Sequence, residues 1–341
     1  MAVSALAREA RMLVADGKGL LAIDESTATC NMRLAAAGIT PSLAARRAWR
    51  ELLITTPDLA SCISGVILYD ETFRQANDDG VSFLRVLADA GLIPGIKVDL
   101  GAQPLAGHPG GKVTEGLDGL RERLLEYRDL GARFAKWRAV LQPDRPQHNP
   151  ACVAANAHAL ARYAALCQEV GLVPIVEPEV LMDGAHDLER CATVTGEVLH
   201  AVFEQLYQQG VALDGVILKV NMVLPGLSCP QQATLEDVVD STLECLRASV
   251  PAAIPGVAFL SGGQPAALAT ARLNALQLRL SRRAEPWALT FSFGRALQEP
   301  ALSLWRGEPG QVERAQQALL HRARCNLAAL AGRYHADQDP P

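Results

Sequence analysis

Several classes of protein are excluded by what this sequence lacks. No run of about 18 uncharged apolar residues occurs in it, so no segment is suited to span a bilayer. The first residues do not read as a secretory signal either. Leu6, Ala10, Leu13 and Val14 recur at helical spacing with Arg8, Glu9 and Arg11 between them, where a signal needs an unbroken apolar stretch. The expected compartment is the cytoplasm. Basic charge is not in excess: 32 Lys and Arg stand against 37 Asp and Glu, a formal net charge of -5, which argues against a nucleic-acid partner. That balance still allows a local cationic pocket for a phosphorylated small molecule. The eight cysteines include no C-x-x-C pair. A cysteine zinc site is therefore not expected, nor is a disulfide framework in a chain this long; reduced, buried thiols are.

What is present is repetition. Eight short apolar segments, 19–24, 65–73, 93–100, 134–141, 172–181, 214–223, 256–262 and 287–294, alternate with stretches of helical periodicity such as 117–130, 156–169 and 232–248. Their starts recur about every 38 residues, the size of a βα unit with insertions. Near-continuous apolar strands alternating with helices argue for a parallel sheet covered on both faces, and eight units argue for closure. The expectation is an α/β fold, a single (β/α)8 TIM barrel over the whole chain, 1–341, with an N-terminal helix. The barrel would cover about 19–310, an amphipathic C-terminal helix closed by Gly332 about 311–333, and a short frayed polar tail 334–341. A doubly wound sheet is the competing arrangement, but Asp24-Glu25-Ser26-Thr27 stands where its Gly-x-Gly-x-x-Gly turn would be. The proline-rich segment 141–151 reads as an excursion after the fourth strand, not a domain linker.

Buried parallel strands should not carry unpaired charge, yet these do. Asp24 ends the first strand, Lys97 and Asp99 lie in the third, Lys136 and Arg138 in the fourth, Glu177 and Glu179 in the fifth, and Lys219 in the sixth. Each same-strand pair is spaced i, i+2, so both members project from one face. An ion pair at a strand end would explain any one of them; five strands together point to the catalytic mouth of a barrel. Lys219 follows Val216, Ile217 and Leu218 and precedes Val220. Desolvation beside Lys136 and Arg138 is expected to free its amine for attack on a carbonyl, the plainer reading being a salt bridge to Glu177. Mutual repulsion is expected to leave one of Glu177 and Glu179 protonated near neutral pH as an acid, and the pattern does not rank the two.

The seventh and eighth strands end in Ser261-Gly262-Gly263 and Phe293-Gly294-Arg295. Barrels often bind phosphate at these two loops through glycine amides and a helix N-terminus. Ser-Gly-Gly alone would be an ordinary turn; paired with Gly-Arg it favours phosphate. Of seven histidines only His186 lies near a strand end, whereas a catalytic metal centre would want several there. No metal and no other cofactor is expected.

The blocks GKGLLAIDEST, LAGH with EGLDGLRER, GARFAKWRAVL, VPIVEPE, LKVNM, FLSGGQ and WALTFSFGRALQ occur in that order. From about residue 12 to 334 the chain resembles class I fructose-bisphosphate aldolase, the metal-independent, Schiff-base family. The resemblance implies that Lys219 forms the Schiff base and that Glu177 is the general acid/base of imine formation and hydrolysis, with Glu179 its acidic neighbour. It implies that Asp24 engages the C4 hydroxyl and that Lys136 and Arg138 are the cations near the reacting centre. Ser261, Gly262, Gly263, Gly294 and Arg295 match the binder of the ketose C1 phosphate, with Ser292 of the same block among the substrate-binding residues. Ser26, Thr29, Arg33 and Lys97 match the distal C6-phosphate site, with Arg46 a further candidate. The implied reaction is reversible cleavage of fructose 1,6-bisphosphate to dihydroxyacetone phosphate and glyceraldehyde 3-phosphate in glycolysis and gluconeogenesis. A homotetramer with phosphorylated ketose and triose substrates is implied as well.

Three positions depart from the family pattern. Met32 replaces a second lysine beside Arg33 in the vertebrate form, Val220 replaces a proline after Lys219, and the chain ends at Pro341 without the terminal tyrosine of the animal enzymes. Two alternatives stand beside this reading. Another Schiff-base barrel, such as a transaldolase or deoxyribose-phosphate aldolase, would lack anion groups at both ends of the site. A non-catalytic scaffold of the same family would not need Lys219, Glu177 and Asp24 intact.

Overall fold

Each of the eight apolar segments contains a strand, and the strands close on one another. The computed structural model describes residues 2–144, 148–280 and 285–339. Positions 145–147 of the expected excursion and the last two residues of the expected tail lie outside the described residues. The strands are β1 (Gly19–Ile23), β2 (Ile63–Leu68), β3 (Ile93–Lys97), β4 (Ala102–Pro104), β5 (Lys112–Thr114), β6 (Phe134–Leu141), β7 (Val173–Val180), β8 (Ile217–Val220), β9 (Gly256–Phe259) and β10 (Ala288–Phe293). Eight close into a parallel barrel in the order β1-β10-β9-β8-β7-β6-β3-β2, while β4 and β5 pair antiparallel as a separate hairpin. The helices are α1 (Ala2–Leu13), α2 (Thr27–Ala36), α3 (Leu43–Ile54), α4 (Asp70–Phe73), α5 (Phe83–Asp89) and α6 (Leu120–Leu130). They continue as α7 (Pro150–Val170), α8 (Leu188–Gln208), α9 (Leu235–Ser249), α10 (Ala266–Leu280), α11 (Arg295–Trp305) and α12 (Val312–Leu330).

Strand alternation sorts the side chains into two cores. Along β6, Ala135, Trp137, Ala139 and Leu141 face the helices and join the large cluster between sheet and helix layer. Phe134, on the other alternation of the same strand, turns inward and joins Leu20, Ala22, Ile67, Val173, Ile175, Ile217 and Ala258 inside the barrel. That inner cluster is completed by Leu6, Ala10, Leu13 and Val14, so the helical stripe seen in the first residues closes the barrel at the end where the strands begin. Two strand glycines permit this close fit. A Cβ on Gly256 would stand 2.5 Å from Val14 Cγ1, and one on Gly65 would stand 3.0 Å from the Phe134 ring.

Several segment ends differ from the sequence expectation. The stretch expected as strand over 65–73 leaves the sheet at Leu68 and turns into α4, whose first turn carries Asp70 and Glu71, favourable at a helix N-terminus. The 214–223 stretch is a strand only over Ile217–Val220. Beyond it, the Val223 amide donates to Thr242 Oγ1 at 2.9 Å and the Leu224 amide to Cys191 Sγ at 3.4 Å, so helix side chains take over from the ladder. The tail is not frayed over its described part. Tyr334 is buried, and Asp339 is held by the Tyr334 hydroxyl at 2.9 Å and by the Arg322 guanidinium. All eight cysteines are free and buried.

Candidate active site

The inward-facing rows that begin apolar end charged. In β6 the row runs Phe134, Lys136, Arg138; in β7 it runs Ile175, Glu177, Glu179; in β8 Lys219 follows Ile217; and Asp24 comes two residues after Ala22. Parallel register sets Arg138 beside Glu177 and Val140 beside Glu179. Asp24, Lys136, Glu177 and Lys219 are all buried, and their charges alternate in space. Lys219 Nζ lies 3.1 Å from Glu177 Oε1, Lys136 Nζ lies 2.7 Å from Glu177 Oε2, and Lys136 Nζ donates to Asp24 Oδ2 at 2.9 Å. Lys136 is therefore shared by two carboxylates, and Glu177 by two lysines. Beside them Asp99 pairs with Lys97 at 3.0 Å and accepts from the Arg138 amide at 3.1 Å, while Arg138 pairs with Glu179.

Burial alone would raise the carboxyls of this chain of charges, but the cations prevail. Glu177 is held below the ordinary glutamate range because Lys136, Lys219 and Arg138 outweigh its desolvation. Repulsion is expected to leave one of Glu177 and Glu179 protonated without deciding which; Glu177 is not that one, since two lysines face it while Glu179 is paired with Arg138. Asp24 is likewise held far below the usual range, its burial outweighed by Lys136, Lys219 and Lys97. Lys136 is raised, its desolvation outweighed by Asp24 and Glu177, and stays an ammonium.

These groups line one cavity of about 890 Å3 at the strand C-terminal ends. On one side stand Ser261, Gly262, Ser292, Gly294 and Arg295. Gly262 and Gly263 have φ of 55° and 85°, a turn that favours glycine. Gly263 lies just behind the lining, and a Cβ there would come 3.1 Å from Arg295 Nη2. Gly294 caps α11, whose N-terminus opens toward the cavity at Arg295. The Ser292 hydroxyl is buried with no hydrogen-bond partner among the described residues, and Arg295 makes no ion pair among them. The whole edge offers donors without acceptors.

A second part of the lining holds Ser26, Thr29, Met32, Arg33 and Lys97. Ser26 caps α2 by accepting from the Thr29 amide at 3.4 Å. Here the cations are already engaged: Arg33 pairs with Glu25 and donates to Gln298 at 3.0 Å and Glu299 at 3.3 Å. Lys97, besides Asp99, sits 5.8 Å from the Tyr69 ring centre. Met32 is 65% exposed at the rim. Arg46 does not join the lining. It donates twice to Glu71 at 2.7 Å and once to Asn31 at 2.9 Å in the wall between α2, α3 and α4.

Sequence reasoning missed the support beneath this side. Glu25 alternates away from Asp24 and meets Arg50 at 2.7 Å and the Gln298 amide at 2.9 Å; Gln298 also donates to Ala22 O at 2.7 Å. The available signal was Arg50, an arginine beside Trp49 on the apolar face of α3. Tyr69, Arg123 and Tyr127, which also line the cavity, carried none.

With this geometry the chain compares closely with known proteins. The family model described as fructose-bisphosphate aldolase class-I matches residues 5–340. A probable fructose-bisphosphate aldolase class 1 of Xanthomonas campestris pv. campestris is 54% identical over 335 residues, covering 98% of this chain and 99% of that one. Fructose-bisphosphate aldolase 6, cytosolic, of Arabidopsis thaliana is 48% identical over 321 residues, covering 94% and 89%. Among solved structures, the Plasmodium falciparum aldolase in complex with TRAP and a small-molecule inhibitor superposes with a TM-score of 0.95 at 45% identity, covering 98% of this chain and 96% of that one. Matched along nearly its whole length by the family and by relatives of about half-identical sequence, the chain belongs to the class I fructose-bisphosphate aldolases.

Proposed function

We propose that the protein cleaves fructose 1,6-bisphosphate reversibly through a Schiff base on Lys219, and that Glu177 moves the protons. The observation that carries this reading is the buried run Lys219–Glu177–Lys136–Asp24, with contacts of 3.1, 2.7 and 2.9 Å. An ammonium cannot attack a carbonyl. Glu177, a carboxylate 3.1 Å from Lys219 Nζ, takes its proton, and the amine adds to the C2 ketone. Two protons then reach the C2 oxygen, one from the added nitrogen and one that Glu177 returns, so that the oxygen leaves as water and the nitrogen is left as the iminium. Asp24 accepts a hydrogen bond from the C4 hydroxyl as the substrate seats, and the O–H then turns to Glu177, a carboxylate again, which takes the proton. Asp24, which Lys136 and Lys219 hold far below the usual carboxylate range, stays ionised. The C3–C4 electron pair flows into the iminium, glyceraldehyde 3-phosphate departs, and protonation and hydrolysis of the enamine release dihydroxyacetone phosphate. Lys136 stays charged throughout and stabilises both carboxylates.

The two phosphates fit the two parts of the lining. The C1 phosphate is assigned to Ser261, Ser292, the Gly262 and Gly263 amides, Gly294 and Arg295, where donors stand unused. The C6 phosphate is assigned to Ser26, Thr29, Arg33 and Lys97, where it must draw cations from Glu25 and Asp99. Arg46, spent on Glu71, is left out. A homotetramer in the cytoplasm, working in glycolysis and gluconeogenesis, follows from the family resemblance; one relative is named cytosolic, and no helix among the described residues is long and apolar enough to cross a membrane.

Borohydride added with dihydroxyacetone phosphate is expected to inactivate the enzyme irreversibly and to leave a reduced adduct that mass mapping places on Lys219, with turnover insensitive to chelator. An adduct on Lys136 or Lys97 instead, or activity lost to chelator, overturns the mechanism.

A further inference from the structure

The C-terminal tail carries a cluster that the aldol reaction does not use. On α12, His321 and Cys325 are one turn apart and share a face. The short helical turn Ala336–Gln338 then brings Asp339 back against them. One nitrogen faces both partners: His321 Nε2 lies 3.5 Å from Cys325 Sγ and 3.8 Å from Asp339 Oδ1. The three donor atoms all fall within 4.8 Å of one another. A tetrahedral zinc ion, with bonds of about 2.3 Å to sulfur and about 2.0–2.1 Å to nitrogen and oxygen, sets its ligand atoms about 3.4–3.5 Å apart. The two separations from His321 Nε2 are close to that, and a small rotation of the imidazole, whose side chain is 44% exposed, covers the remainder there, while Sγ and Oδ1 lie within 4.8 Å of each other.

The carboxylate is already aimed. Asp339 Oδ2 accepts from the Tyr334 hydroxyl at 2.9 Å and from Arg322, which leaves Oδ1 turned toward the imidazole. Arg322 is in turn fixed to Ala266 O at 3.1 Å and Thr270 Oγ1 at 2.5 Å, at the start of α10. Carboxylate ligands of metals are oriented by outer hydrogen bonds of this kind. An Arg322–Asp339 ion pair alone would account for Oδ2, but not for the meeting of a thiol and an imidazole at Oδ1. None of the three residues lines the catalytic cavity.

We propose that His321, Cys325 and Asp339 form a binding site for a divalent transition metal of the zinc class, with water as fourth ligand, that clasps the tail to α12. The nitrogen, sulfur and oxygen donors suit zinc over magnesium or calcium, which take oxygen ligands. On binding, the Cys325 thiol proton passes to solvent, and the thiolate, with the carboxylate that Asp339 shares between the metal and Arg322, offsets the charge of the metal.

The test uses the full-length protein, stripped with chelator and kept reduced. One equivalent of Co2+ is expected to produce a thiolate-to-cobalt charge-transfer band and the intense visible bands of a four-coordinate ion, and one equivalent of Zn2+ to abolish both. Cys325→Ser, His321→Ala and Asp339→Asn are each expected to weaken Zn2+ binding at least tenfold while retaining fructose 1,6-bisphosphate cleavage, which also reports that they fold. Carboxypeptidase release of the tail is expected to slow at least tenfold with Zn2+ in the parent protein only. Cobalt bands that persist in all three variants, a spectrum without thiolate character, or tail release indifferent to Zn2+ would each overturn the site.

Discussion

The two ends of the barrel interior are built on the same strands and could hardly differ more. At the end where the strands begin, Phe134, Val173, Ile175, Ile217 and Ala258 meet the stripe Leu6, Ala10, Leu13 and Val14, and the space is filled without a charge. Two residues further along the same rows come Lys136, Glu177 and Lys219. The lower end gains from removing apolar surface from water, about 25 cal/mol per Å2. The upper end gains little in stability, because desolvating ion pairs offsets much of their attraction. What it gains is a set of charges fixed before substrate arrives. A parallel barrel can hold such a set because its apolar end and helix layer supply the folding free energy independently.

That division can be broken from either end. The largest expected effect is at the upper end: Glu177→Gln should slow imine formation and hydrolysis about 10²–10⁴-fold, read by single-turnover rates, while the protein stays folded at the assay temperature. Rates near the parent's would move the proton-transfer role to another group. At the lower end, Phe134→Ala removes the ring that fills the space beside Gly65 and Gly95. It should cost about 3–5 kcal/mol in denaturant unfolding, with kcat per folded molecule reduced far less than by Glu177→Gln. A loss of kcat as deep as that of Glu177→Gln would show that the two ends are not separable.

The smallest expected effect sharpens a contrast within the mouth itself. Donors on the Arg295 side are unspent, whereas Arg33 and Lys97 are already paired with Glu25 and Asp99. Met32→Lys would add an unpaired cation at the exposed distal rim. One charge-assisted phosphate contact is worth roughly 1.5–3 kcal/mol when well formed, and rim exposure favours the lower figure. The ratio of kcat/KM for fructose 1,6-bisphosphate over fructose 1-phosphate should therefore widen by about tenfold, through the bisphosphate. An unchanged ratio would mean that residue 32 does not face the C6 phosphate.

The parts of this molecule legible in its sequence are those written locally. Eight apolar segments at βα spacing declared the barrel, and Leu6, Ala10, Leu13 and Val14 declared an N-terminal helix, though not that it closes the barrel. Lys136, Glu177 and Lys219 stood out because a charge inside an apolar strand is anomalous whatever it touches. The protonation of Glu177 was not legible, because it depends on Lys136 reaching over from the neighbouring strand, a matter of register. For the same reason Glu25 was passed over: its partners Arg50 and Gln298 come from distant helices. Arg46 looked available until Glu71 was found against it. The strand expected over 65–73 overran because Asp70-Glu71 begins a helix too short to show periodicity.

The closing helix also has a consequence for how the chain reaches its fold on the ribosome. The first helix emerges at once, but its seat is not complete until Gly256 is in place opposite Val14. At about 5–20 residues per second, synthesis of the intervening 240 or so residues takes roughly 12–48 s. Throughout that time the native cover of an apolar stripe of four side chains is incomplete, and only docking late, across most of the chain, finishes it.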